Sequence, residues 1–386
     1  MIVYLFLYIV SILIFYTTLE SKKKIQIRAM SIFLLFIGFF VGLGDMLGGY
    51  DRYIYGSIFE DMADVAHAGG SPWKTDAFLF YAGEFGYGTL SALMGYITGN
   101  RYIFIFVITI IIYILLIKSL KQYVENAPFA VVMFMGLWFF YTFTYLRQVL
   151  GCAIIWLSVK YIIERDLKRF LIIWFIAYSF HNSALIFLPL YFIPQKMISP
   201  KIVIYIMIGA LLMGLSPIPS FIFETYGEVE ETRANVAGYA VEMGFRWAYL
   251  IEAVFFLFLI LKNYREIQNK KEIVMLNISL VFCVVLFLFV RSENGGRLGW
   301  YFMIGILCTL SNLCVHGRRL QSQGIMMLLV CFFLYVRILY SWAFNLCPYK
   351  TFLTNGHTAE VVHEHFEYDF NYDRDKFYRP ALWILE

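Results

Sequence analysis

Charge is scarce in this chain: Asp, Glu, Lys and Arg make up 15% of its 386 residues, against about a quarter in soluble domains. That shortage excludes a soluble globule wrapped in a charged surface, and nothing in the sequence points to a nucleic-acid partner. Cysteine is sparse as well. The six cysteines are scattered, and Cys152, Cys283, Cys308, Cys314 and Cys331 fall in apolar runs, with no metal-type spacing and no disulfide framework. The first apolar stretch, Met1 to Leu19, lacks a small-residue cleavage site. Its charges, Lys22, Lys23 and Lys24, follow it rather than precede it, so it reads as a retained helix with its N-terminus outside. There is no internal repeat and no inverted symmetry of the kind many transporters carry.

What the chain has instead is apolar surface: 61% hydrophobic residues and 20% aromatics, with a mean hydropathy of +0.70. The balance predicts an all-α polytopic integral membrane protein. A span needs roughly 20 apolar residues, and about ten candidates lie at 1–19, 29–48, 102–117, 128–146, 148–163, 202–218, 246–261, 273–290, 298–315 and 324–343. Short basic connections at 20–28, 118–127, 160–169, 262–272 and 316–321 alternate with longer, Gly- and aromatic-rich ones at 49–101, 219–245 and 291–297. The positive-inside rule places the basic set in the cytoplasm. Two stretches need separate treatment to keep that parity. Gly86 to Gly99 is short and Gly-rich and reads as a non-spanning or re-entrant element on the outer side. Phe170 to Ile193 reads as a helical hairpin, 170–180 and 182–193, with His181 at its outward tip and arms of roughly 17 Å; a single crossing would put Lys196 and Lys201 outside. Residues 1–343 then form one membrane domain, and 344–386 form an extracytoplasmic tail.

Ionisable groups in or beside spans are costly and mark function by default. On the outer face the sequence offers Asp45, Asp51, Arg52, Glu84, Arg147, Gln148, His181, Arg291, Glu293 and Arg297, with Arg337 near the outer end of the last span. Arginine suits a diphosphate, because its planar fork bonds two oxygens and keeps its charge when partly buried. The competing reading is that each arginine snorkels or pairs with a local carboxylate such as Glu293. His181 is a candidate general base, its ordinary pKa of about 6.5 lying near working pH; the plainer alternative is a satisfied structural histidine. Glu84 or Asp51 shares the base role or binds sugar hydroxyls, or Glu84 simply caps a tight turn. His363, Glu364 and His365 supply too few defined ligands for a zinc site. Asp373-Arg-Asp375 has the form of a nucleotide-sugar motif but lies on the wrong side of the membrane for one.

The outer-loop Asp51-Arg-Tyr, Glu84-Phe-Gly-Tyr, the Phe/Tyr-rich span ending Tyr145-Leu-Arg147-Gln148, and Phe180-His181-Asn-Ser183-Ala184-Leu closing on Pro189-Leu-Tyr-Phe resemble the EpsG family of Wzy-like bacterial exopolysaccharide and O-antigen polymerases. The resemblance runs over about 45–195 and more weakly over Gly296-Arg297 to Tyr301. Family members commonly carry Glu-Pro-Gly where this chain has Glu84-Phe-Gly86. The resemblance implies a glycosyltransferase of the multi-span C-type class in the bacterial cytoplasmic membrane, working at its outer face. It implies an undecaprenyl-diphosphate-linked oligosaccharide as substrate, already activated so that no metal or cofactor is expected, the lipid bilayer as surroundings and a chain-length regulator as partner. Carried over by residue, His181 and Glu84 are catalytic, Arg147, Arg297, Arg52 and Arg291 bind diphosphate, and Asp51, Gln148 and Tyr301 bind sugar. A ligase for finished polymer and a transporter or flippase for lipid-linked saccharide remain the alternatives.

Overall fold

The structure is a computed structural model, and it describes residues 1–45, 50–219, 244–264, 267, 269–292, 295–316, 318–355 and 375–385. Glu293, His363, Glu364, His365, Asp373 and most of the 219–245 loop lie outside the described residues. The main helices are α1 (Ile2–Thr18), α2 (Lys23–Leu43), α3 (Tyr50–His67), α4 (Phe85–Gly95), α5 (Arg101–Tyr123), α6 (Ala127–Leu137), α7 (Leu146–Trp156), α8 (Leu167–Phe180), α9 (Pro200–Leu215), α10 (Trp247–Lys262), α11 (Lys270–Leu288), α12 (Met303–Cys314) and α13 (Ser322–Ser341). Polar residues mark the starts. Asn100, Asn126, Asp166, Ser199 and Asn269 each accept a backbone N–H of the first turn of α5, α6, α8, α9 and α11, satisfying donors that a helix leaves open.

Among the described residues, five helical stretches are long and apolar enough to cross a membrane: α2, α5, Leu146–Glu164, α11 and α13. Other crossings are assembled from pieces. The 12 residues of α12 rise about 18 Å, and the eight-residue 3-10 turn Gly295–Phe302 ahead of it adds about 16 Å, together matching an apolar thickness of about 30 Å. Every residue of α6 is buried, and α1, α2, α12 and α13 pack around it. The outward faces are apolar too: Ile204, Tyr205, Ile208 and Leu212 of α9, and Ile325, Leu329, Phe332 and Phe333 of α13, are exposed. Such faces are stable against lipid and not against water. The chain is a multi-pass membrane protein.

The basic connections converge on one face. Lys23 at the start of α2 and Lys271 at the start of α11 both pair with Glu125 between α5 and α6. A cleft there is also lined by His316 and Arg318 of the short hairpin that follows α12. The chain enters the stretch containing His181 from near this face, where the Lys160 backbone N–H donates to Tyr123 Oη at 2.8 Å, and leaves it beside Asn277 of α11, whose amide donates to the Pro194 carbonyl at 2.7 Å. Asp166 caps α8, which runs out to His181 in extended conformation, and Asn182–Phe192 returns as a 3-10 helix packed on α8. Arg165 donates to the carbonyl of Ile193 at 2.7 Å, and Gln195 donates to that of Ile163 at 3.2 Å, so the return ends beside the start. The outgoing arm is longer than the sequence suggests, with 14 residues of α-helix covering about 21 Å. The 11 residues coming back cover about 22 Å only because a 3-10 helix rises about 2 Å per residue; as an α-helix they would fall short by a turn.

Helices α3 and α4 form a layer over the ends of the spans opposite the basic connections. Buried Arg101 donates Nε to Glu60 Oε1 at 2.8 Å, with a second bond between Nη2 and Oε2. The end of the tail straps this layer. Arg379 forks onto Asp64, Tyr378 donates to Glu60, Trp383 Nε1 donates to the Gly95 carbonyl at 2.7 Å, and the Trp383 ring stacks on His67 at 4.0 Å.

Two measurements test this arrangement. In a cysteine-free background, Asn182→Cys reacts with an impermeant thiol reagent from outside and Lys196→Cys only from inside; outside labelling of the latter removes the hairpin. Breaking one side of a buried ion pair costs about 3–5 kcal/mol, so Glu60→Ala lowers the melting temperature in detergent sharply, and an unchanged melting curve would remove the pair from the stabilising set.

Candidate functional site

Four segments meet beneath the α3–α4 layer. Glu84 ends a 3-10 turn (Ala82–Glu84) and stands at the cap of α4. Its carboxylate, 1% exposed, pairs through Oε2 with Arg147 at the start of α7 and accepts the Asn182 backbone N–H at 3.3 Å on Oε1. The same Oε1 lies 3.7 Å from His181 Nδ1. One carboxylate thus joins the outer layer, a span and the hairpin tip. Gly86 is required for that approach. A Cβ there would come 2.3 Å from Ser179 Oγ and 2.9 Å from the Ser179 carbonyl.

Arg147 lies over the rings of Tyr55 and Tyr81, 5.0 and 5.6 Å from their centroids, a cation–π box around the guanidinium. Tyr55 is one helical turn beyond Asp51 on α3 and donates to Asp51 Oδ2 at 3.3 Å. Burial raises the Asp51 carboxyl above its ordinary range, against the lowering pull of Arg297 and Arg147 and of the Tyr55 hydroxyl. Asp51 therefore stands in the field of both arginines. Arg297 donates Nη2 to Tyr145 Oη at 2.9 Å and covers the Tyr145 ring at 4.2 Å.

The histidine is oriented by its neighbours. The Ser183 backbone N–H donates to His181 Nδ1 at 3.3 Å, the Ser183 hydroxyl lies 2.7 Å from the same nitrogen, and that hydroxyl lies 2.9 Å from Tyr301 Oη. A nitrogen that accepts a backbone N–H bears no proton, so the neutral ring carries its hydrogen on Nε2. In that tautomer Nε2 donates and does not accept.

The structure brings Glu84, Arg147, His181, Asp51 and Arg297 together. It places the other sequence candidates differently. Gln148 donates to the Arg297 carbonyl at 3.0 Å and so positions the arginine-bearing turn. Tyr301 is fully buried behind Ser183. Arg52, grouped above with the diphosphate binders, is also fully buried. It donates Nη2 to the Val41 carbonyl at 2.8 Å and Nε to that of Phe143, near the ends of two helices; it ties them together and does not reach the site. Arg291 donates to the Leu215 carbonyl at 3.2 Å at the end of α9, apart from this cluster. Asp45 lies against the tail, its backbone N–H donating to the Lys350 carbonyl. Sequence reading missed Tyr55, Tyr81 and Ser183 as parts of the site. The Asp51/Tyr55 spacing of one helical turn was the available signal for the first; Tyr81 had none.

Fold and site together define a multi-pass membrane protein whose buried polar cluster is assembled from two spans, a hairpin tip and an outer helical layer. The chain belongs to the EpsG family, whose model matches residues 27–351, and is thereby a membrane protein of polysaccharide biosynthesis. No curated protein and no solved structure matches it.

Glu84 and Arg147 are expected to be coupled. Glu84→Gln and Arg147→Met each leave a buried charge unpaired and lower thermal stability, while the double substitution costs less than the sum of the two. Additive losses on melting in detergent would show that the pair does not act as a unit.

Proposed function

We propose that this protein joins lipid-diphosphate-linked oligosaccharide repeat units into exopolysaccharide or O-antigen, as a C-type-like glycosyltransferase of about ten spans at the outer face of the bacterial cytoplasmic membrane. The observation that supports the reading is Asp51, a carboxyl bonded by the Tyr55 whose ring lies under Arg147, raised by burial and in the field of two arginines from separate segments, Arg147 and Arg297. A diphosphate bridging the two guanidiniums puts the anomeric carbon it activates beside that carboxylate. The acceptor hydroxyl oxygen then bonds to the anomeric carbon, the carbon–oxygen bond to the diphosphate breaks, and the lipid diphosphate leaves with the electron pair. The hydroxyl proton passes to Asp51. Arg147 and Arg297 neutralise the charge that grows on the leaving diphosphate, an activated leaving group that requires no cofactor.

In this scheme the roles shift from those expected of the sequence alone. His181, with Nδ1 accepting from Ser183, presents Nε2–H to a diphosphate or sugar oxygen and orients it, while Asp51 is the base. Glu84 acts through Arg147 and the Asn182 amide. It is a positioning residue.

The test uses purified protein in liposomes with the lipid-linked repeat unit from a host deleted for this chain. The expected result is a product ladder spaced by one repeat, with the rate reduced about 100-fold or more in Asp51→Asn and in Arg147→Ala. Only the deprotonated carboxylate accepts a proton, so the rate falls as pH drops through the raised Asp51 pKa, and Asp51→Asn removes that limb from its residual activity. An acid limb that persists in Asp51→Asn and vanishes in His181→Gln would return the base role to the histidine. Movement of the repeat unit between leaflets without elongation would make the protein a transporter. Transfer of finished polymer to a different lipid would make it a ligase.

A further inference from the structure

Which of its two nitrogens carries the proton decides what His181 does in the proposed reaction. Nδ1 stands between opposing neighbours. Glu84 Oε1, 3.7 Å away, is an acceptor and favours a proton on that nitrogen. The Ser183 backbone N–H, at 3.3 Å, favours a bare one, but at that distance its hold is weak. The Ser183 hydroxyl is closer, at 2.7 Å. A hydroxyl rotates to donate or to accept, so the balance at Nδ1 is set by whatever directs the serine proton.

Tyr301 is placed to direct it, with its hydroxyl 2.9 Å from Ser183 Oγ. When Tyr301 donates to Ser183, the serine proton turns to Nδ1, and each bond of the chain polarises the next. Glu84 is a poor rival. Its oxygens already take Arg147 and the Asn182 N–H, and Oε1 stands beyond hydrogen-bond distance of Nδ1. The reverse order, with Nδ1 donating to Ser183 and Ser183 to Tyr301, would aim a proton on Nδ1 and the Ser183 backbone N–H at one another.

The surroundings hold these distances. Tyr301 belongs to the 3-10 turn Gly295–Phe302 and is fully buried. Its carbonyl accepts Nε1 of Trp156, on α7, at 2.9 Å. Phe302, next in the turn, stacks on Phe187 of the return arm at 5.4 Å, which ties the turn to the arm that carries Ser183. Helix α7 meets both ends of the chain at Gly151, where a Cβ would come 3.3 Å from His181 Cβ and 3.5 Å from Tyr301 Oη. A phenylalanine at 301 would fill the same core, so what the tyrosine adds is its hydroxyl.

We propose that Tyr301 and Ser183 are positioning residues, a hydroxyl chain that ends on His181 Nδ1 and holds the imidazole proton on Nε2 against the pull of Glu84. Tyr301 then serves the reaction from behind the histidine instead of binding sugar. The consequence for elongation rests on the polymerase reading above; the position of the proton does not. That position is read in liposomes by nitrogen NMR of protein carrying isotope-labelled histidine, with the His181 signals identified by their loss in His181→Gln. Wild type shows Nδ1 bare and Nε2 protonated. Ser183→Ala and Tyr301→Phe each bring a fraction with Nδ1 protonated into view, and Ser183→Thr, which keeps both donors, does not. With lipid-linked repeat unit, the maximal rate falls about tenfold in Ser183→Ala and Tyr301→Phe, the worth of one hydrogen bond, and Ser183→Thr stays close to wild type. A protonated Nδ1 in wild type overturns the proposal, as does a proton that stays on Nε2 in both variants, whatever their rates. A proton that moves while the rate holds removes the positioning role. A wild type that makes no ladder removes the polymerase reading and that role with it, and the hydroxyl chain itself then stands or falls on the NMR alone.

Discussion

Glu84 is the group on which the rest of the outer architecture depends. A buried carboxylate costs several kcal/mol unless it is paired and bonded, and this one is satisfied only if three separate segments arrive together. The span must present Arg147, the hairpin tip must present the Asn182 amide, and the turn before α4 must expose the carboxylate at its end. The penalty for leaving any one of them away makes the cluster cooperative. It also fixes His181, because the residue whose amide meets Glu84 directly follows the histidine. Diphosphate recognition, on the reading favoured here, reuses the positive charge that Glu84 holds in place.

Local geometry follows from making these meetings possible. The return arm of the hairpin has fewer residues than the outgoing arm and reaches the same level by adopting the steeper 3-10 rise. Gly86 lets α4 touch the end of α8. Arg52 ties the Val41 carbonyl near the end of α2 to the Phe143 carbonyl in the turn before α7. None of these residues carries chemistry on substrate, yet each sets where a chemical group stands.

The sequence revealed the fold through charge bookkeeping more than through hydropathy. Lys196 and the basic 262–272 loop forced the stretch around His181 to turn back, and Arg165 bonded to Ile193 is that turn closed. The meeting of Glu84, Arg147, His181 and Arg297 was legible because arginines and carboxylates beside spans have few inexpensive alternatives. What escaped was any role set by a partner far away in the chain. The burial of Arg52 depends on where Val41 and Phe143 end their helices. The tautomer of His181 depends on a backbone amide two residues on, and Tyr81 enters only because Arg147 lies against its face. Side-chain identity declares charge and shape; it does not declare which carbonyl is left open.

The strap formed by the last described residues has a consequence for how the molecule is made. Trp383 bonds Gly95 across 288 positions, and Tyr378 bonds Glu60 across 318. During synthesis, the α3–α4 layer is made early and waits, its Gly95 carbonyl and its His67 ring uncovered, until nearly the whole chain has been made. Assembly of the outer layer is therefore a late event, separated from insertion of the spans beneath it. A nascent chain arrested before residue 375 holds its helices in the bilayer with an unfastened lid.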